Sequence, residues 1–142
     1  MKAFLSIKYN GDRRRDLVEA LTRVFSEMGI NLYCFVRDDE EWGTMFYSSK
    51  EMMKLAFKRI KESNLMVVEL SEKGVGIGIE AGYAAAYGIP IVIIAPPKAD
   101  ISSTLSGIAQ GVFRYEFPED LLRYTEAICS MLIMFPKIEG RN

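Results

Sequence analysis

Residues 71–88, SEKGVGIGIEAGYAAAYG, gather the residue types in this chain that could do chemistry: Gly74, Gly76, Gly78 and the acid Glu80. A carboxylate can attack an electrophilic carbon, stabilise a developing cation or move a proton. Glycines spaced one apart let backbone N–H groups converge on a concavity and let a ligand approach closely. The pattern predicts that Glu80 falls in the first turn of a helix, near its positive end, where a carboxylate is held ionised. Backbone N–H groups beside a carboxylate suit phosphate or sugar hydroxyls. An ionised glutamate there can attack a sugar C1 whose leaving group is a nucleobase, or stabilise its oxocarbenium-like transition state. A plain tight turn is the simpler explanation of the glycines, yet three alternating before an acid exceed what a turn requires.

Other chemistries are excluded by what the chain lacks. The spacing G-x-G-x-G-x-E-x-G follows a third strand, whereas a dinucleotide fingerprint needs G-x-G-x-x-G after the first, and no Gly-Lys-Ser/Thr follows for a P-loop. The 142 residues contain no histidine, which removes Ser-His-Asp and Cys-His catalytic sets and the usual zinc sites. No metal or cofactor is expected. Cys34 and Cys129 sit in apolar surroundings and read as buried free thiols. A net charge of −1 gives no reason to expect a nucleic-acid polymer or a membrane surface as partner. No apolar run reaches the ~20 residues of a membrane span, and the N-terminus does not read as a signal peptide, so a cytoplasmic protein is expected.

The elements that must hold this site follow from periodicity. Residues 3–9 and 30–36 read as strands, with a helix between them built on Leu17, Leu21, Val24, Phe25 and Met28, N-capped by Asp12 and ended by Gly29. Residues 37–43, RDDEEWG, form a polar loop with the only Trp, which either covers the core edge or acts as a lid or base-stacking residue. Ser48 and Glu51 look like a capping box opening a second helix, so helix capping is the simpler role for Glu51. Apolar runs at 65–70 and 89–94 flank the glycine segment as third and fourth strands. A Ser-rich loop and short helix follow at 98–111, then a fifth strand at 112–117. Pro118 opens a last helix, whose end, residues 131–135, is apolar nearly all round and suits a dimer contact. Alternating strands and helices over 142 residues, with no internal repeat, predict a single α/β domain. It is a doubly wound five-stranded parallel sheet, flavodoxin-like order 2-1-3-4-5, helices on both faces. Its crevice then lies between strands 1 and 3, at the loops 8–12 and 71–78.

The G-x-G-x-E-x-G-Y-A pattern, with the segment from Ser63 through Gly88, resembles the nucleoside 2-deoxyribosyltransferase family and its hydrolase relatives, the nucleoside 5′-monophosphate N-glycosidases. The resemblance implies the doubly wound fold, a nucleoside or nucleotide substrate and a homodimer or higher oligomer. By position, Glu80 matches the family's nucleophilic glutamate, and Gly76 and Gly78 its loop glycines. Ser102 or Ser103 falls near the phosphate-binding serine of the hydrolases, and Ser6-Ile7-Lys8 is similar to their Ser-Ile-Arg. Tyr9 lies close to the position of a family aromatic. Two positions depart. Ala56 stands where the family has an Asp that helps with proton transfer or substrate contacts. Gly74 stands where transferases carry Asp and hydrolases Ser. Asp38, Asp39 or Glu40 on the polar loop are candidates for the missing acid.

Three functions compete. The first is N-glycoside hydrolysis of a nucleoside 5′-monophosphate, with Glu80 as nucleophile and with Lys8, Arg13 and Ser102 on the phosphate. The basic run Arg13-Arg14-Arg15 favours such an anionic ligand, although a solvated helix start explains it more simply. The second is base exchange by a deoxyribosyltransferase. The third is a TIR-like module that binds nucleotides or cleaves NAD.

Overall fold

The computed structural model describes residues 1–11 and 14–136. Five strands, β1 (Lys2–Ile7), β2 (Asn31–Cys34), β3 (Leu65–Glu69), β4 (Ile91–Ala95) and β5 (Gly111–Arg114), form one parallel sheet in the order β2-β1-β3-β4-β5. The expected order is therefore observed. β3 and β4 are buried along their whole length, which is why, Glu69 apart, they read as continuous apolar runs rather than alternating ones.

Helices cover both faces. Alternate strand residues feed two separate cores. Leu5, Val67, Val92 and Phe113 pack on one side with Leu21, Val24 and Phe25 of α1 (Arg15–Glu27) and Ile128 of α6 (Thr125–Met134). Phe4, Met66, Val68, Ile91 and Ile93 pack on the other. There they meet Ile60 of α3 (Ser49–Lys61), Ile77, Ala81 and Ala84 of α4 (Val75–Ala86), and Leu105 of α5 (Ser103–Ile108). Gly29 (φ +81°) turns the chain out of α1 towards β2, with the Ile30 N–H donating back to the Phe25 carbonyl. Gly88 (φ +70°) does the same after α4, with Ile89 donating to Ala84. Each left-handed residue closes a helix at the length that returns the chain to the sheet.

Several expected boundaries move. β1 ends at Ile7 rather than Tyr9, and β2 spans Asn31–Cys34 rather than residues 30–36. The chain then folds at once into the single turn α2 (Phe35–Asp38), because the Asp38 carboxylate accepts the Cys34 N–H at 2.9 Å and ends the strand. β5 starts one residue early and stops at Arg114. The last helix begins as a 3-10 segment, Pro118–Tyr124, in which Asp120 accepts the N–H groups of Glu116 and Phe117. Ser48 caps α3 by accepting the Glu51 N–H at 3.2 Å, as the sequence suggests. Cys34 and Cys129 are free thiols, the first buried and the second only partly so. Asp12, expected to cap α1, lies outside the described residues. Among those residues, no helix is long and apolar enough to cross a membrane.

Candidate active site

Glu80 lies in the second turn of α4, not the first, because the helix begins at Val75 with Gly74 as its N-cap. Only Gly74 belongs to the turn, in extended backbone, while Gly76 and Gly78 are helical. The apolar positions Ile77, Ala81 and Ala84, buried against the sheet, outweigh the helix-breaking tendency of the glycines. No atom of the protein would meet a Cβ built at Gly76 or Gly78. These positions thus leave room that the chain itself does not fill.

The side chain of Glu80 turns back to the sheet. Ser6, fully buried on β1, donates its hydroxyl to Glu80 Oε1 at 3.2 Å. Phe4 and Ser6 share a sheet face, so the strand's period of two aims Ser6 at α4. The Glu80 carboxyl is not held ionised, as its sequence position suggests. Burial pushes it up to about 7, and the single Ser6 hydrogen bond only partly opposes this. The second helical turn is too far from the orphan N–H groups for them to offset that desolvation.

Glu80 and Gly76 line a cleft of about 370 Å³. β1 and the loop after it contribute Ile7 and Tyr9. The β2–α2 junction brings Phe35 and, beyond it, Glu40, while α3 brings Met52, Met53 and Ala56. The cleft thus opens beside the carboxyl ends of β1 and β2, and α4, which follows β3 across the point where the strand order reverses, forms its other wall. Its walls are apolar, and burial raises Glu40, the second carboxyl on them, above the ordinary range. Trp42 does not line the cleft. It packs on the core, against the Tyr9 ring (centroids 5.9 Å apart) and beneath the Arg15 guanidinium at 4.7 Å.

The other expected contacts divide. The stem of Lys8 lies beside the α4 N-terminus, where a Cβ on Gly74 would approach its Cδ to 3.7 Å. Ser102 is occupied as the cap of α5, accepting the Leu105 N–H and sharing a 2.8 Å hydrogen bond with Thr104. Ser103 is the exposed first residue of that helix. Neither serine lines the cleft. Arg13 lies outside the described residues. Its neighbours are already engaged: Arg14 bridges Glu69 (3.1 Å) and Glu72 (3.2 Å), and Arg15 covers Trp42. Arg14 is thus a cross-link between the loops after β1 and β3, while Arg15 lies exposed over Trp42.

Sequence reasoning missed Glu69. It is fully buried and accepts from Arg14, from the Tyr115 hydroxyl at 2.7 Å, and from the N–H (3.2 Å) and hydroxyl of Ser71. With Asn10 donating to Glu72 at 3.0 Å, this network ties the loop after β1 to the loop after β3. The signal was one acid inside an apolar strand, which requires a buried partner.

A doubly wound parallel sheet with a half-buried glutamate beside its switch point defines the class: a flavodoxin-like α/β protein. Comparisons agree. The chain is 26% identical over 136 residues, covering 93% of its own length and 95% of the other, to the protein called "Putative 2'-deoxynucleoside 5'-phosphate N-hydrolase 1" of Thermofilum pendens. The 2-deoxyribosyltransferase of Bacillus psychrosaccharolyticus shares the fold with a TM-score of 0.73 at 16% identity, over 90% of this chain and 95% of that one. The CMP N-glycosidase of Clostridium botulinum does so at 0.67 and 20%, over 90% and 99%. No protein-family model matches. In fold and overall sequence, the chain is similar to the nucleoside 2-deoxyribosyltransferase family, nearest in type to the nucleoside 5′-monophosphate N-glycosidases.

Proposed function

We propose that this protein hydrolyses the N-glycosidic bond of a nucleoside 5′-monophosphate, with Glu80 as the nucleophile. The observation that carries the reading is a desolvated carboxyl, held through one oxygen by Ser6, on the floor of an apolar cleft at the switch point. The hydrogen bond fixes Oε1 and leaves Oε2 to approach the sugar C1′. A nucleobase fits against Tyr9, Phe35, Met52 and Met53, which offer flat and adaptable apolar surface. The phosphate lies towards the N-terminal turn of α4, where backbone N–H groups lack helical partners and Lys8 supplies a cation. Ser103 is the serine of its pair without a capping duty.

Attack by ionised Glu80 breaks the C1′–N bond, and water then releases the sugar from the glycosyl–Glu80 ester with retention at C1′. No cofactor enters. A homodimer belongs to the same proposal, supported by the exposed Ile133, Met134 and Phe135 at the end of α6.

The relatives' printed activities support N-glycoside chemistry in general. The test is chromatographic release of free base from a panel of ribo- and deoxyribonucleoside 5′-monophosphates, nucleosides and NAD, with wild type and Glu80→Gln side by side. We expect release from a monophosphate and a loss of about 10³-fold or more in the variant. Full turnover by Glu80→Gln would exclude the nucleophile. A new nucleoside formed on adding a foreign base would move the reading to transfer, and nicotinamide release would move it to the TIR-like enzyme.

A further inference from the structure

Three acids follow one another at residues 38–40, and the structure gives them different duties. Asp38 accepts from the Cys34 N–H and from Arg37 Nε, each at 2.9 Å. Asp39 is gripped by Arg59 through Nε and Nη2, each at 3.1 Å, and by the Tyr33 hydroxyl. Both line a different hollow, beside Tyr33 and the C-terminal end of α3. Glu40 alone turns into the cleft that holds Glu80. Among the described residues its carboxylate has no hydrogen bond or ion pair. Across the same cleft, α3 presents only Met52, Met53 and the methyl group of Ala56.

We propose that Glu40 is the acid–base partner of Glu80, giving its proton to the departing base and recovering one from water. This rests on the N-glycosidase reading. The balance is simple. A Glu80 oxygen bonds to C1′ as the C1′–N bond breaks; the bonding pair goes to the base, and the Glu40 proton joins it on a ring nitrogen. Water then bonds to C1′, its proton passes to Glu40, and the C1′–O pair returns to Glu80. The active form carries a proton on Glu40 and none on Glu80. The other titratable groups on the cleft are Tyr9, from the loop after β1, and Cys34, whose thiol burial pushes up to about 11. α3 and Gly76 of α4 add none, and Arg59 behind the loop is committed to Asp39.

The experiment is the pH dependence of base release by full-length wild type and Glu40→Gln on the best monophosphate of the panel. In wild type the reaction needs Glu80 ionised, which titrates near 7, and Glu40 protonated, so the rate passes through a maximum and falls at higher pH. In Glu40→Gln the only requirement left is ionised Glu80. Its rate drops by about 10²-fold or more at the optimum, and its profile rises as Glu80 ionises and levels. A Glu40→Gln rate within about threefold of wild type, or an unchanged profile shape, overturns the assignment while leaving Glu80 as nucleophile. If Glu40→Gln is too slow to profile, Glu40→Asp decides: recovery of about tenfold with the alkaline fall supports the role, and an Asp variant as slow as Gln overturns it. A wild type that releases no base from any panel member overturns the N-glycosidase reading itself, and this assignment with it.

Discussion

Glu69, fully buried, and Glu80, half-buried, are two acids at the same end of the sheet, and they are treated in opposite ways. Glu69 closes β3 and is surrounded by donors: Arg14, Tyr115 and Ser71. Glu80 is given one hydroxyl and an apolar cleft. The first arrangement satisfies a charge and holds two loops together. The second leaves a charge unsatisfied and therefore available to a ligand. Burial alone does not mark a reactive acid; a shortage of partners at a cavity wall does.

Substitutions should separate the two roles. The largest effect on folding is expected from Glu69→Gln, which leaves the mostly buried Arg14 with only the exposed Glu72 as its partner and should cost about 3 kcal/mol in denaturant unfolding. Base release per folded molecule should change little beside the loss in Glu80→Gln. A Glu69→Gln variant of wild-type stability would dissolve the contrast.

Glu80→Gln should behave in the reverse sense, and its effect should depend on pH. The carboxyl titrates near 4.5 when unfolded and near 7 when folded. Below the first value both states are protonated, and the acid costs nothing. Between the two values the unfolded chain ionises while the native state keeps its proton, so stability falls with rising pH, and above the second the ionised Glu80 destabilises the fold by about 3 kcal/mol. Neutral Gln escapes this cost. Its melting temperature should match wild type at acid pH and exceed it by several degrees in mildly alkaline buffer. Equal differences at both pH values would mean that Glu80 is not desolvated.

The smallest effects concern the glycines of α4. Gly82 is exposed, and a Cβ there meets nothing, so Gly82→Ala should add about 0.5–1 kcal/mol of stability and leave turnover unchanged. Gly76→Ala should gain similar stability but lose substrate affinity, because its methyl projects where the cleft is lined. Equal KM values for the two variants would remove Gly76 from the binding surface.

The sheet order was legible because fully buried strands write themselves as β-branched runs, and Gly29 and Gly88 mark where helices close. Glu80, Gly76 and Tyr9 were legible as neighbours because topology alone brings the loops after β1 and β3 together. The charge state of Glu80 was not. Its distance from the helix start depended on where α4 begins, and a glycine-rich stretch conceals a helix whose stability comes from packing. The duties of Asp38, Asp39 and Glu40 were equally hidden. Successive residues point in different directions once β2 gives way to a turn, and only three-dimensional partners tell them apart.

The pairing of Trp42 with Tyr9 has an optical consequence. The chain has a single indole, it rests on a ring that lines the cleft, and a guanidinium covers its other neighbourhood. Indole emission follows the polarity and quenching groups around it, so displacement of Tyr9 by an entering ligand registers in the only tryptophan signal the protein has. The molecule thus carries its own fluorescent gauge of cleft occupancy, with no second tryptophan to blur it.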